Sequence, residues 1–488
     1  MNRILLLAAV LLPLAGGALT GLLPLKSQRS RNLYTESAAV LTAVLVWTVL
    51  LTGRGTEVQL LRMAGDCRLS FSVDGLSSLF AGLVSLMWPA VLPYAFSYMR
   101  EEERQTAFFS FYLMTFGITL GVAFSANLLS MYVFYELLSL VTIPLVTHYG
   151  NHESMMAGRV YAAYTIGGAS LGLLAVAMTV IAGGSASFRY GGSVENCGSA
   201  LQQTAFLLGF FGFGVKAAVF PLSRWLPTAS AAPTPVTALL HAVAVVNAGV
   251  FAIARLSRYV FAPEELLGTT AQTICLAAAE FTLVWAALQA VRETHFKRRL
   301  AWSTVSNLSY MLYGLMLLTP EGLTAGLSHM VFHGVIKIVL FMCAGAFMHR
   351  TGKNYIFELT GIGRKMPATF LCYTLSALSL TGIPLFAGFV SKWQLFTAGA
   401  AAGTGLAAAG VCALVVSAFL CAIYTLTVSV RAFFPAAGRD RFGADSPVRE
   451  AEPEMLAPIV LFTAADVLLG LFPGPVLHFL EMISGGMI

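Results

Sequence analysis

The stretch Phe210–Arg255 reads FFGFGVKAAVFPLSRWLPTASAAPTPVTALLHAVAVVNAGVFAIAR. It sets a lysine, Lys216, inside an apolar run long enough to span a bilayer. Pro221 and Pro227 follow closely, then the corner Pro233-Thr234-Pro235, then a second apolar run that carries His241. A charged side chain at membrane depth costs roughly 2.5–3.5 kcal/mol on insertion scales, so it turns towards protein or water and has a task there. A proline within a spanning helix removes a backbone hydrogen bond, and lipid offers the freed carbonyl no partner. A charge beside such a break points to an ion path.

The rest of the chain has the composition of a membrane protein. Of its 488 residues, 57% are hydrophobic and 11% charged, and its mean hydropathy is +0.78. Apolar runs of spanning length number about fourteen. They begin near Ile4, Glu36, Asp74, Thr106, Ala126, Met156, Ser199, Pro235, Thr269, Leu300, Gly322, Met366, Thr404 and Met455. No long soluble segment separates them. The expected fold is therefore an all-α polytopic membrane domain, residues 1–488, with the last span, from Met455, closing the chain. The run after Arg3 has no small-x-small cleavage site and reads as span one rather than a signal peptide.

The charges suggest an orientation. Apart from the intramembrane Lys216, Lys337 and Lys392, alternate loops divide the 29 Lys and Arg residues into nineteen on one face and seven on the other. The positive-inside rule places the richer face, with the Arg292–Arg299 cluster, in the cytoplasm. Both termini then lie on the outer face of the cell (inner) membrane. In the outer loops, Arg68–Val73 alternates polar and apolar residues and reads as a short strand. Cys67 and Cys197 also fall in outer loops, where a disulfide between them stays open. The other five of the seven cysteines lie in spanning runs and read as small apolar fillers. They form no CxxC pair and no metal spacing, and nothing suggests a nucleotide, haem, iron–sulfur or nucleic-acid site.

Ionisable residues inside the spans carry the chemistry. Glu136 stands near the middle of span five. It is either a neutral carboxyl packed in the interior or a carboxylate that interacts with a nearby lysine, and the buried lysines elsewhere favour the second. Span seven holds Lys216, with Gly209, Gly212 and Gly214 permitting close helix approach. Span eight holds His241. Glu280 in span nine has no readable partner, and a packed role and a functional one both stay open. Span ten has several hydroxyls and Asn307, suited to lining a wet cavity or to bonding across helices. In span eleven His329, His333 and Lys337 are spaced four apart, one stripe on one face with steps of about 6 Å. Such steps exceed hydrogen-bond reach and call for water between them. A zinc reading fails, because there is no third ligand and no HExxH. Span twelve is broken at Gly382-Ile-Pro384 and Gly388, with Lys392 just beyond. It echoes span seven, with its break at Pro221. Spans four to eight and nine to thirteen then form two five-helix units. An odd number of helices makes successive units enter from opposite sides, an inverted repeat.

At this point the residues resemble a known family. GFGVKAAVFPLSRWLPTASAAPTPVTALLHAVAVVNAGVFAIAR is similar to the signature of the antiporter-like, proton-translocating membrane subunits of complex I, of membrane-bound hydrogenases and of Mrp-type cation/proton antiporters. The likeness continues through FYELLSL at Glu136, FKRRLAWSTVSNLSYM at Phe296–Met311, HMVFHGVIKIVLFMCAGA at His329–Ala346 and SLTGIPLFAGFVSKW at Ser379–Trp393. It implies a fourteen-helix fold with inverted five-helix repeats (106–260 and 269–435, between N-terminal helices in 1–105 and a C-terminal helix in 455–488) and broken spans seven and twelve. By position, Glu136 and Lys216 resemble the family's carboxylate–lysine pair, His241 its histidine in span eight, His329, His333 and Lys337 its relay, and Lys392 its terminal lysine. Two departures stand out. Thr228 follows WLP where the family usually has an acid, and His295 and Phe296 precede Lys297 where an acid is common. The length resembles the D-type antiporter subunit.

The resemblance implies a member of a hetero-oligomeric membrane complex, moving protons along a buried Glu/Lys/His axis. No cofactor and no catalytic centre of its own are expected. The leading reading is an Mrp-like antiporter exchanging protons for Na+ or K+. The alternative is a proton-pumping subunit of an NADH–quinone oxidoreductase or an energy-converting hydrogenase. A solitary transporter or membrane scaffold is a third class.

Overall fold

The computed structural model describes residues 2–23, 27–62, 68–181, 187–194, 197–436, 440–442 and 446–488, without the His241 side chain. The chain begins with α1 (Asn2–Leu22) and α2 (Gln28–Thr52), followed by a hairpin of β1 (Glu57–Arg62) and β2 (Arg68–Ser72). Then come α3 (Gly75–Tyr98), α4 (Gln105–Phe124), α5 (Leu128–Val146) and α6 (His152–Ile181). The region of the opening stretch contains α7 (Ala200–Gly214), α8 (Trp225–Ala229), α9 (Thr234–Ala242) and α10 (Val245–Arg255). After α11 (Pro263–Leu266) follow α12 (Thr270–Arg292), α13 (Phe296–Met316), α14 (Pro320–Thr351), α15 (Pro367–Thr381) and α16 (Ala387–Ala401). The chain continues with α17 (Gly405–Phe433), α18 (Pro453–Leu471) and α19 (Gly474–Ser484).

Eleven helical segments among the described residues, with 234–260 taken as one, are long and apolar enough to cross a membrane. Three expected spans are not among them, and the residues explain why. Spans seven and twelve are divided into pieces of 15 residues or fewer. The helix of span ten, α13, opens on Lys297-Arg-Arg299 and carries a polar run through Asn307. Span two starts at Gln28, earlier than the apolar run at Glu36, because Ser27 caps it by accepting from the Ser30 amide. Span fourteen does not close the chain: α19 follows α18.

The expected strand is β2. Its partner β1 was not foreseen, since the alternation in EVQLLR runs only from Glu57 to Leu60 and fails at Leu60-Leu61. The two pair antiparallel from Glu57↔Ser72 to Arg62↔Arg68. This hairpin seats the start of α5: the Ser70 amide donates to Ser130 Oγ at 2.9 Å and Asn127 Nδ2 donates to Ser70 Oγ at 3.0 Å. Asn127 is itself the N-cap of α5. A second tie on the same face joins α3 to α10. Asp74 caps α3 by accepting from the Ser77 amide, and Arg255 Nη2 donates to Asp74 Oδ1 at 2.8 Å. The Arg255 side chain is wholly buried, stacked near Phe188, Phe251 and Tyr259.

The central pillar is α14. Every residue from Gly322 to Phe347 is buried. Around it pack α9, α13, α15, α16, α18 and α19. A stripe of titratable residues on such a helix faces protein on all sides, which a lipid-facing helix could not offer. The glycine reading of span seven holds at Gly212, where α7 meets the backbone of α6 at Gly172. The Cys67–Cys197 disulfide left open by the sequence lies partly outside the described residues, since Cys67 is not among them. The Cys197 thiol is buried and donates to the Val194 carbonyl at 3.3 Å.

Candidate functional site

Lys216 lies in the break of span seven itself. Helix α7 ends at Gly214, and residues 215–224 are irregular, with Ala218 at φ 55°. Pro221, expected to mark the break, sits five residues later in this irregular stretch, on its exposed side. The cause is the helix behind. Gly249 of α10 presses against the Lys216–Ala217 backbone so closely that no side chain fits between them. Trp225 Nε1 satisfies the freed Val215 carbonyl at 2.7 Å, and Phe220 N donates to Thr282 Oγ1 at 3.0 Å. The broken backbone is thus supplied with partners from neighbouring helices, as a membrane interior requires.

The Lys216 side chain is wholly buried. Its ammonium donates to the Tyr135 carbonyl and sits 3.5 Å from the centre of the Tyr135 ring. The Tyr135 hydroxyl in turn donates to the Phe213 carbonyl at 2.5 Å, closing a knot between α5 and the end of α7. Glu136 is the next residue on α5 and is partly buried, and its Oε1 has no protein partner. Among the described residues no ion pair within 4.0 Å joins it to Lys216; Tyr135 holds the lysine instead. The expected pair therefore lies on adjoining elements without being closed.

Span eight is also interrupted, which the sequence did not announce. Helix α9 ends at Ala242, directly after His241, and α10 begins at Val245. Asn247 Nδ2 donates to the Ala242 carbonyl at 2.9 Å, and Gly334 of α14 lies close to that same carbonyl. The end of α9 therefore reaches α14 beside His333. The His241 side chain lies outside the described residues.

On α14 the stripe is buried throughout, at 1%, 0% and 0% exposure for His329, His333 and Lys337. Its connections run through α13 as well as along α14. Lys337 Nζ donates to Ser303 Oγ and, at 3.1 Å, to the Leu300 carbonyl. One turn on, Asn307 Nδ2 donates to the Ser303 carbonyl at 2.7 Å, which fixes the amide. Asn307 Oδ1 then accepts from His329 Nε2 at 3.1 Å, so in the neutral ring Nδ1 accepts from Ser391 Oγ at 2.9 Å. Ser303 and Asn307 form a polar ladder from Lys337 to His329. His333 sits beside it, its ring 5.8 Å from that of His329, with neither nitrogen bonded to protein.

The break of span twelve is where the sequence placed it, at 382–386, with Gly382 at φ 98° and Leu385 at φ 80°. Lys392 reaches back across it from α16 and donates to the Leu380 and Thr381 carbonyls at 2.6 and 3.2 Å. These are carbonyls of the last turn of α15, where a cation also complements the helix dipole. Its ammonium lies 5.0 Å from the Tyr310 ring centre, and Tyr310 stacks on His329 at 5.3 Å. His329, Asn307, Ser303 and Lys337 are thus joined by hydrogen bonds, and Lys392 adjoins them through ring contacts with Tyr310.

The middle of the chain, residues 125–420, matches the family described as NADH:quinone oxidoreductase/Mrp antiporter, TM. The chain belongs to this family. Among its curated relatives is an A-type component of the Na(+)/H(+) antiporter of Alkalihalophilus pseudofirmus, 32% identical over 82% of this chain and 52% of the relative. Another is the A/B-type component of a probable K(+)/H(+) antiporter of Rhizobium meliloti, 31% identical over 96% and 47%. The chain spans about half the length of these relatives, which are A-type or A/B-type rather than the D-type suggested by length. Similar solved structures include respiratory complex I from Thermus thermophilus (TM-score 0.82, 25% identity, 99% of this chain and 98% of that one). An Mrp complex from Dietzia matches with TM-score 0.84 at 22% identity, over 98% and 97%. Both have the fold described above.

One residue of this family member was missed from the sequence. Asp466 of α18 is wholly buried, and its Oδ1 accepts from Ser379 Oγ at 2.7 Å. Ser379 Oγ accepts from the Gly388 amide at 3.1 Å, across the break. One turn later Gly470 packs directly on the backbone of Leu385 and Phe386. Helix α18 therefore clamps the break of span twelve. An acid in the last span was available as a signal, but it had no partner within reach in sequence. Glu280, whose role the sequence leaves open, is buried, with Oε1 unpartnered, near Gly410 of α17. At the two departures from the family pattern, Thr228 donates to the Arg224 carbonyl at 3.0 Å, and His295 caps α13 by accepting from the Arg298 amide at 3.5 Å.

Proposed function

We propose that this chain is the proton-translocating subunit of a multisubunit, Mrp-like cation/proton antiporter. It crosses the cell membrane fourteen times, with both termini outside, in two inverted five-helix units (106–260 and 269–435). The observation that carries the reading is Lys216: an ammonium with no exposed surface, set in a helix break and held by the residue next to Glu136. Burial disfavours a charge and a nearby carboxylate favours it, so moving Glu136 relative to a buried lysine changes whether that lysine holds its proton. Protons released there pass by way of His241 to Lys337, through water held along Ser303 and Asn307 to His329, and to Lys392. His333 contributes through water. Neighbouring chains of the complex act by shifting the Glu136–Lys216 pair, and Na+ or K+ is the exchanged ion.

The names of the relatives support this reading over a redox one. The likeness to complex I over nearly the whole length supports the second reading, a proton-pumping component of a redox complex whose catalytic centre lies on another chain. Flavin or iron–sulfur clusters in the purified native assembly would select the second. The test common to both is Lys216→Ala in the assembled complex, reconstituted into vesicles. Proton transport should be abolished with assembly intact, and transport at the parent rate would overturn the proposal.

A further inference from the structure

On the face where α14 begins, the structure has a cavity of about 400 Å³ between α14, α16 and α19, lined by Glu321, Thr324, Gln394, Thr397, Glu481 and Ser484. Its lining mixes polar and apolar surface; its two acids are exposed, while Thr324 and Ser484, bonded to each other at 2.7 Å, are buried. Inward of these stand two separate hydrogen-bonded pairs, about one helical turn apart along α16. Gln394 Oε1 accepts from Ser328 Oγ at 2.7 Å. Ser328 is the neighbour of His329 on α14, and Gln394 lies one turn from Ser391 on α16, the residue bonded to His329 Nδ1. Two helices thus carry matched polar pairs, Ser328 with Gln394 and His329 with Ser391, so the cavity lining is one helical turn from the buried histidine. Hydroxyl and amide groups in this register replace apolar side chains on an otherwise buried seam, where each would cost free energy without a polar task.

We infer that this cavity is the outer mouth of the proton route: His329 exchanges protons with the outside through water held along Ser391, Gln394 and Ser328, and Glu321 and Glu481 draw hydronium to the opening. The acids set the sign of the local field, which favours cations and excludes anions. Helix α19 forms one wall, which gives the segment after the last span a role in transport. The inference rests on the proton-transfer reading above, and it places the solvent end of the row at α14, α16 and α19 rather than at Lys392 alone.

The test uses the complete complex in vesicles, with Thr397→Cys and, as a second position, Gly485→Cys, a residue that also lines the cavity, each treated with a membrane-impermeant thiosulfonate from the outer or the inner side. The parent protein, treated identically, sets the baseline. Expected is labelling from the outer side only, with proton transport by the labelled protein falling roughly tenfold or more relative to the same variant unlabelled. Labelling from the inner side, or full labelling at both positions with undiminished transport, overturns the mouth. Lys392→Ala, assayed in parallel, separates the two claims. If that variant transports at the parent rate, the proton-transfer reading itself fails. If it is dead while labelled Thr397→Cys and Gly485→Cys remain active, the mouth alone fails.

Discussion

Replacing Gly249 by alanine tests whether the position of Lys216 is set by the backbone packed behind it. A methyl group at Gly249 would stand 2.9 Å from the Lys216 carbonyl carbon and 3.1 Å from its Cβ, and would overlap the Ala217 amide nitrogen. Carbon atoms in favourable contact lie about 3.5–4.0 Å apart, so the break must retreat by roughly 0.5–1 Å. Overpacking of this kind costs about 1–3 kcal/mol. The larger consequence falls on the ammonium, which loses its fit to the Tyr135 carbonyl and ring. A misplacement of about 1 Å in a reacting group slows a reaction on the order of a hundredfold. Gly249→Ala is therefore expected to assemble but to transport protons between roughly ten and a hundred times more slowly. Gly167→Ala is the control, since a methyl there meets nothing within 4 Å. The assay is the initial rate of pH change in vesicles at equal amounts of assembled complex. Parent-like transport by Gly249→Ala would refute the argument that helix packing at the break holds the lysine in place.

Two further outcomes are expected. Asp466→Ala removes the acceptor of Ser379 Oγ and loosens the clamp on the second break, so the complex should lose about 1–3 kcal/mol of stability, while Asp466→Asn, which keeps an acceptor, should lose less; equal unfolding midpoints for the two variants would count against the clamp. At the N-terminus of α13, burial and then the charges of Lys297 and Arg298 lower the His295 imidazole to about 4. The unfolded chain, with histidine near 6.5, binds that proton first, so this contribution to stability is full above about pH 6.5 and is lost as pH falls towards 4. It amounts to about 3 kcal/mol at most, and His295→Gln should flatten the acid limb of a plot of unfolding temperature against pH.

Much of this was legible because a membrane makes polar residues conspicuous. Glu136, Lys216, His329, His333, Lys337 and Lys392 stood out against apolar runs, and the cost of burying them argued for a shared interior before any contact was known. The break at Gly382–Pro384 was legible because glycine and proline carry their own backbone signal. The break at Lys216 is displaced from its true place to Pro221 when sequence alone is read, because its cause is Gly249, more than thirty residues away in sequence. The interruption after Ala242 has no local proline either, and it is held by Asn247. The Ser303–Asn307 ladder needed the rotational setting of α13 against α14, which periodicity within one helix does not supply. Asp466 was passed over because its partner, Ser379, lies two spans earlier.

The contacts of Lys392 have a consequence for how charge and shape are related. Its ammonium is the hydrogen-bond donor for the last carbonyls of α15, and it faces a helix end that carries about half a negative charge. Neutralising this residue would therefore strip the end of a half-helix of its counter-charge. On the proposed reading, a change in the charge of Lys392 would be felt at the break of span twelve, and α18, anchored on that break through Asp466 and Gly470, is the neighbouring element that would bear it.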